Sequence, residues 1–338
     1  MADGEQHEDL SEPGIEVRTL EPDAAPGLTR LVRRCYGDSY DAAWVYDPDE
    51  IAARLRRGVL RSTVGVADTG EVIAHLGLTR LQPDDDVAES GQAVVDPAFR
   101  GRHLFTMLKR HAAAAAARDG LFGLFSEATA AHPYSQRANV ALGAVETGLL
   151  LGYIPASVDY TAIDVSDHRQ SVVLYYLKTN NGHVRPVYAP ERDRAMVERI
   201  VTRAGLRGTV VDAPSESRSP ARSDLHVDDR TDHNDRIVTV RTVGRDLLTA
   251  VERARDGALA NGADCVYVDL PLTDPGTHHW GDGVHELGFG FGGVFPNRLH
   301  AGDVLRYQYL ERVTLDVRDL ALASDHGREL LAYVTGSA

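Results

Sequence analysis

The stretch from Ala93 to Gly120, AVVDPAFRGRHLFTMLKRHAAAAAARDG, constrains the fold more than any other part of the chain. It begins as a β-branched apolar segment, turns through Arg100 and Gly101, and runs into an uninterrupted helical segment that stops at Gly120. A strand delivered through a short turn into a helix is a building unit of α/β proteins. The turn is basic, contains glycine and opens a helix. First-turn N–H groups have no i−4 carbonyl partner, and the aligned peptide dipoles place roughly half a positive charge there. Such a turn suits an anion, a phosphate above all. The alanine run at 112–117 gives the helix a face with little side-chain entropy to lose, suited to close packing on a sheet.

Around this unit the hydrophobic pattern alternates between strand and helix periods. Residues 1–14 are polar and acidic and read as a disordered tail. A strand at 15–20 leads to helices at 25–37 and 48–58. Three strands follow at 62–68, 71–81 and 88–96. Turn signals at Asp68-Thr69-Gly70 and Pro83-Asp84-Asp85-Asp86 separate them, as in an antiparallel meander. After the helix at 101–119 come a strand at 121–129, a short helix opening near Pro133, and strands at 146–154 and 171–179. The order β-α-α-β-β-β-α-β-α-β-β fills residues 15–180.

The second half repeats part of this order. A strand and helix at 183–205 mirror the opening pair, and the charged, Pro/Ser-rich stretch 212–235 reads as a flexible loop. A strand at 236–243, a helix at 245–262, a strand at 263–272, a helix ending near Leu287 and strands at 288–296 and 303–313 come after it. Gly262 and Pro275 have the spacing of Gly120 and Pro133, and HELGFGFGGVFP resembles VALGAVETGLLLGYIP apart from a short length change. We read two related units in tandem, 15–180 and 181–338. Only Gly244 separates Val243 from the helix at Arg245, so the second unit lacks the basic turn and reads as a degenerate copy.

The order Val95-x-Pro97-x-x-Arg100-Gly101-x-x-Leu104 resembles the coenzyme A loop of the GNAT-superfamily acyltransferases, and the element order of 15–180 is the order of that fold. The resemblance implies an α/β protein with a mixed sheet, acetyl-CoA as acyl donor, no metal, and direct transfer of an acetyl group to an amine. It implies that the N–H groups of Arg100, Gly101, Arg102, His103, Leu104 and Phe105 hold the pyrophosphate, with Arg100 and Arg102 adding charge. The backbone of Ala93, Val94 and Val95 would pair with the pantetheine arm. This chain departs from the family in carrying His103 and Phe105 where two small residues belong. Glycine there permits close approach of a ligand to the backbone.

Glu89 lies on the same strand, eight residues before Pro97, where many family members carry a carboxylate. The resemblance implies a general base for the amine, with burial raising its pKa; a solvated Glu on a strand edge is the alternative. In SEATAAHPYSQRANVALGAVETG (126–148), His132 falls where the family has a cofactor-contacting Asn. Asn139 falls where it has the tyrosine that protonates the leaving thiolate. Asn139 is therefore counted with the cofactor-binding set. An amide has no proton of suitable pKa, so Tyr134 and His132 are the candidate acids; Pro133 in the first helical turn with Ser135 as cap is the structural alternative for this stretch. Glu127 is a further candidate for holding the substrate amine.

A second functional class stays open: a non-catalytic coenzyme-A-sensing or protein-interaction module on the same scaffold. The altered loop and the missing tyrosine favour it, whereas the intact element order and Glu89 favour an enzyme. A purely structural tandem is the third reading.

Composition narrows the partners. The formal net charge is −14 over 338 residues, and lysine occurs only at Lys109 and Lys178. Such a surface repels nucleic acid and anionic lipid. The Asp-rich, Lys-poor balance resembles proteins from salt-accumulating cells; a GC-rich genome would account for Arg replacing Lys but not for the excess of Asp. Two distant cysteines, Cys35 and Cys265, suggest neither a disulfide framework nor a zinc site, and with no apolar membrane-length run the expected compartment is the cytoplasm. The expected partner is an amine-bearing substrate, with the chain a monomer or homodimer. Gly288-x-Gly290-x-x-Gly293 follows a helix and opens a strand, the reverse of a dinucleotide site. His278, His279 and His285 have no Cys or carboxylate at a convincing ligand spacing.

Overall fold

The computed structural model describes residues 12–38, 40, 42–156, 168–214, 219–299 and 302–336, so most of the expected tail at 1–14 lies outside the described residues. The chain forms two compact units, Met1–Pro83 with Glu89–Ala115, and Asp84–Ala88 with Ala116–Ala338.

In the first unit the chain runs through β1 (Ile15–Thr19), α1 (Ala25–Tyr36), α2 (Pro48–Arg57), β2 (Leu60–Ala67), β3 (Val72–Thr79), β4 (Val87–Val95) and the opening turns of α3 (Leu104–Arg118). The four strands form the expected meander, each antiparallel to the next. Local chemistry sets the helix limits. Asp47 accepts from the N–H groups of Asp49 and Glu50, Pro48 occupies the first helical position, and Gly58 ends α2 in the left-handed region at φ +72°. Leu28, Leu31 and Ile51 from these helices pack on Leu60, Val64 and Val94 of the sheet. Each such fully buried aliphatic side chain is worth about 2 kcal/mol. Helix α3 begins at Leu104 rather than at 101, because a 3₁₀ turn at Pro97–Phe99 and left-handed residues come first.

The second unit contains β5 (Gly123–Thr129), α4 (Tyr134–Ala141), β6 (Val145–Ile154), β7 (Gln170–Lys178), β8 (Arg185–Val187), α5 (Arg194–Arg203), β9 (Gly208–Val210), β10 (Asp224–Arg230), β11 (Asp235–Thr242), α6 (Leu247–Ala260), β12 (Cys265–Pro271), α7 (Pro275–Glu286), β13 (Gly290–Leu299), β14 (Gly302–Leu310) and α8 (Asp325–Val334). Its mixed sheet has the order β5-β7-β6-β13-β14-β12-β11-β10. Two blocks with the same internal order and directions, β5-β7-β6 and β12-β14-β13, meet where β6 and β13 pair antiparallel. The β6–β7 ladder shifts register between Glu146 and Gly148 and again between Leu150 and Ile154. The β13–β14 ladder shifts between Phe291 and Gly293 and between Phe295 and Leu299. Counted from Val145 and Gly290, the shifts fall at the same places. At the seam Gly148 faces Gly293. A Cβ on Gly148 would lie 2.4 Å from the Gly292 carbonyl oxygen, so this approach of two backbones requires glycine.

Several expectations change. The division between compact units falls inside α3 rather than near residue 181, because the β6–β13 pairing carries the block β5-β7-β6 into the second unit's sheet. Within 212–235, read as a loop, residues 224–230 form an edge strand on β11. Its charged side chains are tolerated because most face solvent, and charge on an edge strand blocks further pairing. Strand β8 does not mirror β1, since it pairs in parallel with β9 in a separate two-stranded sheet. Helix α8, absent from the sequence reading, is capped by Ser324, whose hydroxyl accepts from Gly327 N–H.

Candidate active site

The turn between β4 and α3 is held from its base. The Asp96 carboxylate accepts from Ala98 N–H at 3.0 Å and from Arg34 Nε of α1 at 3.0 Å, while Phe99 N–H returns to the Asp96 carbonyl. Beyond it Arg100, Gly101, Arg102 and His103 are exposed. Gly101 (φ +80°) and His103 (φ +56°) both take left-handed backbone. For histidine that conformation costs about 1–2 kcal/mol relative to the right-handed region. A glycine adopts it freely, which explains why a small residue belongs at position 103. The Arg100 guanidinium makes no hydrogen bond or ion pair among the described residues. Arg102 lies 3.6 Å from Glu12 and over the Phe99 ring. Leu104 anchors the helix start in the interior, and Phe105 is half-buried. The donor set fits a pyrophosphate: unpaired first-turn amides by helix geometry, a glycine, and two exposed guanidinium groups. One turn deeper, Lys109 is buried with its ammonium 5.8 Å from the Phe105 ring centre, and burial pushes its pKa down to about 7.

Strand β4 is broken by a bulge. His75 faces Val94 and Gly77 faces Gly91, so Gln92 and Ala93 together oppose Leu76. Gln92 takes φ +48°. Its carbonyl accepts from His75 Nδ1 at 2.8 Å, and its side-chain Oε1 accepts from the Thr79 hydroxyl at 3.0 Å. Gly77 leaves room for that amide, because a Cβ there would lie 2.6 Å from Gln92 Oε1. Sequence reasoning missed His75, Thr79 and Gln92. Gly91 inside a strand pattern was the available signal, since such a glycine marks a bulge or close approach. Val94 is buried beside His75 and Val95 pairs with Ala74. Glu89, half-buried opposite Thr79, leans over Gly91, where a Cβ would lie 2.7 Å from its Oε1.

Glu89, Val94, Val95 and residues 100–105 thus share the first unit; His132, Tyr134 and Asn139 belong to the second. His132 and Tyr134 lie together before and at the start of α4, with ring centres 5.0 Å apart. Tyr134 is exposed, and His132 Nδ1 is buried without a partner. Pro133 sits at the N-cap rather than in the first turn, no side chain caps α4, and the Ser135 hydroxyl is buried unpaired, so Ser135 is not the cap. Asn139 is buried and its Nδ2 donates to the Ser135 carbonyl at 3.1 Å. Glu127 is half-buried on β5; burial and the Glu127 charge together raise the Tyr153 hydroxyl to about 12.

The corresponding turn of the second half is filled by the chain itself. Arg245 N–H donates to the Pro220 carbonyl at 2.9 Å and Gly244 N–H to the Ser223 hydroxyl at 2.9 Å, while Ser223 N–H donates to Asp246 at 2.7 Å. A Cβ on Gly244 would lie 2.2 Å from the Arg222 carbonyl carbon. The expected decoys hold conventional partners: His278 Nδ1 contacts the Ala189 carbonyl and His285 Nε2 the buried Asp193. Among the described residues no helix is long and apolar enough to cross a membrane.

Against known proteins, the chain has no match among curated sequences. Similar solved structures include a mutant of the spermidine N-acetyltransferase SpeG from Vibrio cholerae, at 14% identity and TM-score 0.40, covering 50% of this chain and 95% of that one. The ribosomal-protein-S18-alanine N-acetyltransferase from Escherichia coli is similar at 16% identity and TM-score 0.39, covering 50% and 96%. The Vibrio cholerae spermidine N-acetyltransferase in complex with CoA and spermine follows at 16% identity and TM-score 0.40, covering 50% and 97%. Residues 25–143 match the acetyltransferase (GNAT) family. The chain therefore carries, over residues 25–143, a segment of the acetyltransferase (GNAT) family.

Proposed function

We propose that this chain is an acetyl-CoA-dependent N-acetyltransferase acting on an amine. The observation that carries the reading is the turn at 100–103, where an uncommitted Arg100 and two left-handed residues present the first-turn amides of α3. Those amides, with Arg100 and Arg102, bind the pyrophosphate, and Val94 and Val95 of β4 pair with the pantetheine amides. The amine nitrogen attacks the thioester carbonyl carbon, the C–S bond breaks, and the thiolate leaves. A β4 backbone N–H polarises the carbonyl. Glu89, directly or through water, takes the amine proton. His132 or Tyr134 supplies the proton that converts the thiolate to the thiol, a role Asn139 has no suitable proton to fill.

The second half is proposed as a degenerate copy of the same unit. The matched register shifts of β6 and β13 support this, and so does the self-filled turn at Gly244. Isothermal titration of acetyl-CoA, at moderate and at molar salt, tests the reading. Binding of one equivalent that is weakened in Arg100→Ala supports it, and no binding at either salt overturns it. Glu89→Gln is expected to slow turnover and shift its pH profile; an unchanged rate and profile remove that assignment. The second reading, a coenzyme-A-sensing module without turnover, is favoured by His103, Phe105 and Asn139 in place of the family's residues. Thiol release with any amine separates the two.

A further inference from the structure

We propose that His75 is a positioning residue for acyl transfer: it holds the β4 bulge at Gln92 and so sets the direction of the main-chain amides beside it. The inference rests on the acetyltransferase reading above.

Gln92 occupies left-handed backbone that an L side chain with a full Cβ disfavours, and such residues persist only where their surroundings over-determine them. Three contacts do so here. The His75 ring bonds the Gln92 carbonyl, Thr79 bonds its side-chain amide, and Gly77 vacates the space that amide fills. A carbonyl only accepts, so His75 Nδ1 carries the proton and the ring is the neutral Nδ1–H tautomer. Its Nε2, buried without a partner, is then an unprotonated acceptor. His75 is fully buried on β3 and does not itself reach solvent. Its effect passes through the backbone of its neighbour. A bulge takes its extra residue out of the ladder and turns the strand locally. Fixing that turn fixes where the N–H groups of Ala93 and Val94 point.

The test uses the full chain. His75→Leu removes the donor and is expected to lower kcat about 100-fold, the scale of losing one carbonyl-polarising donor, while KM for acetyl-CoA changes less than about threefold. Amide hydrogen exchange over Gln92–Val95 is expected to rise in the same variant. Gln92→Gly added to His75→Leu supplies a residue free in left-handed backbone, so the bulge no longer needs the imidazole; kcat and exchange should return to near the wild-type values. Should His75→Leu fail to fold, His75→Asn, which keeps a nitrogen donor close to the Nδ1 position, carries the same measurements and is expected to retain most of kcat. Unchanged kcat and exchange in His75→Leu, or no rescue by Gln92→Gly, overturns the role of His75 while an active wild type leaves the acetyltransferase reading standing. A wild-type chain that neither binds acetyl-CoA nor releases thiol overturns that reading, and this role with it.

Discussion

The two strand–turn–helix modules, β4 into α3 and β11 into α6, start from similar sequence patterns and end in opposite states. In the first, Gln92, Gly101 and His103 all take left-handed backbone, and the basic turn at 100–103 is exposed. In the second, no residue from 235 to 246 takes positive φ, and the helix entry is occupied by Pro220 and Ser223. Even the shared bulge differs. Strand β11 has its extra residue, Arg241, opposite the Asp224–Leu225 step, without left-handed backbone. Backbone strain is therefore present in the module whose basic turn is exposed and absent from the module whose helix entry the chain itself fills. Residues held in such backbone cluster at functional sites, so their place beside the exposed turn favours a functional reading of it.

The largest effect that bears on this contrast is on stability. Burial lowers the His75 pKa from 6.5 to about 4. The unfolded chain therefore binds this proton at higher pH than the folded one. Its contribution to stability is complete above about pH 6.5 and is lost as the pH falls towards about 4, by about 3 kcal/mol in all. Denaturant unfolding of wild type and His75→Leu at pH 7 and pH 4.5 should show a larger acid-dependent loss in the wild type, the excess being the His75 share. Equal pH slopes would mean that the ring titrates as in water.

Next is the exposed basic turn proposed to hold the pyrophosphate. Arg100→Ala is expected to weaken acetyl-CoA binding by about 2 kcal/mol, the scale of a charged hydrogen bond, whereas Arg245→Ala leaves it unchanged. Equal effects at both positions would erase the difference between the modules. His103→Gly should stabilise the fold by about 1 kcal/mol by relieving left-handed histidine, and should tighten binding rather than weaken it. Lost affinity in that variant would show the imidazole to be a ligand contact. The smallest effect is at Asp246→Ala, which removes the acceptor for Ser223 N–H. A small loss of unfolding free energy with unaltered acetyl-CoA affinity is expected; gained affinity would mean the closed turn can reopen.

Much of the first unit was legible because its signals are local. Asp47-Pro48 and Gly58 bound α2, and the turn clusters at 68–70 and 83–86 bound the meander strands. The exposed basic turn was legible for the same reason: a proline, a glycine and two arginines stand in one short run. His75 was not, because a histidine in a strand is silent until the opposing strand supplies a bulge carbonyl. Strand β10 was hidden by its charges, which an edge position tolerates. Ser135 was misassigned as a cap because the backbone placed Pro133 at that point instead.

The sequence by itself determined the order of strands and helices over residues 15–180, the presence of one basic turn at a helix start, and the absence of a second. These follow from periodicity and from residues whose backbone preferences act within a few positions. Only the tertiary structure decided that Gly148 and Gly293 meet at a seam, that Ser223 fills the second turn, and that Gln92 is held left-handed by His75. Each of these joins residues distant in the chain or on separate strands. Their energies come from burial and hydrogen bonding that exist only once the strands are side by side.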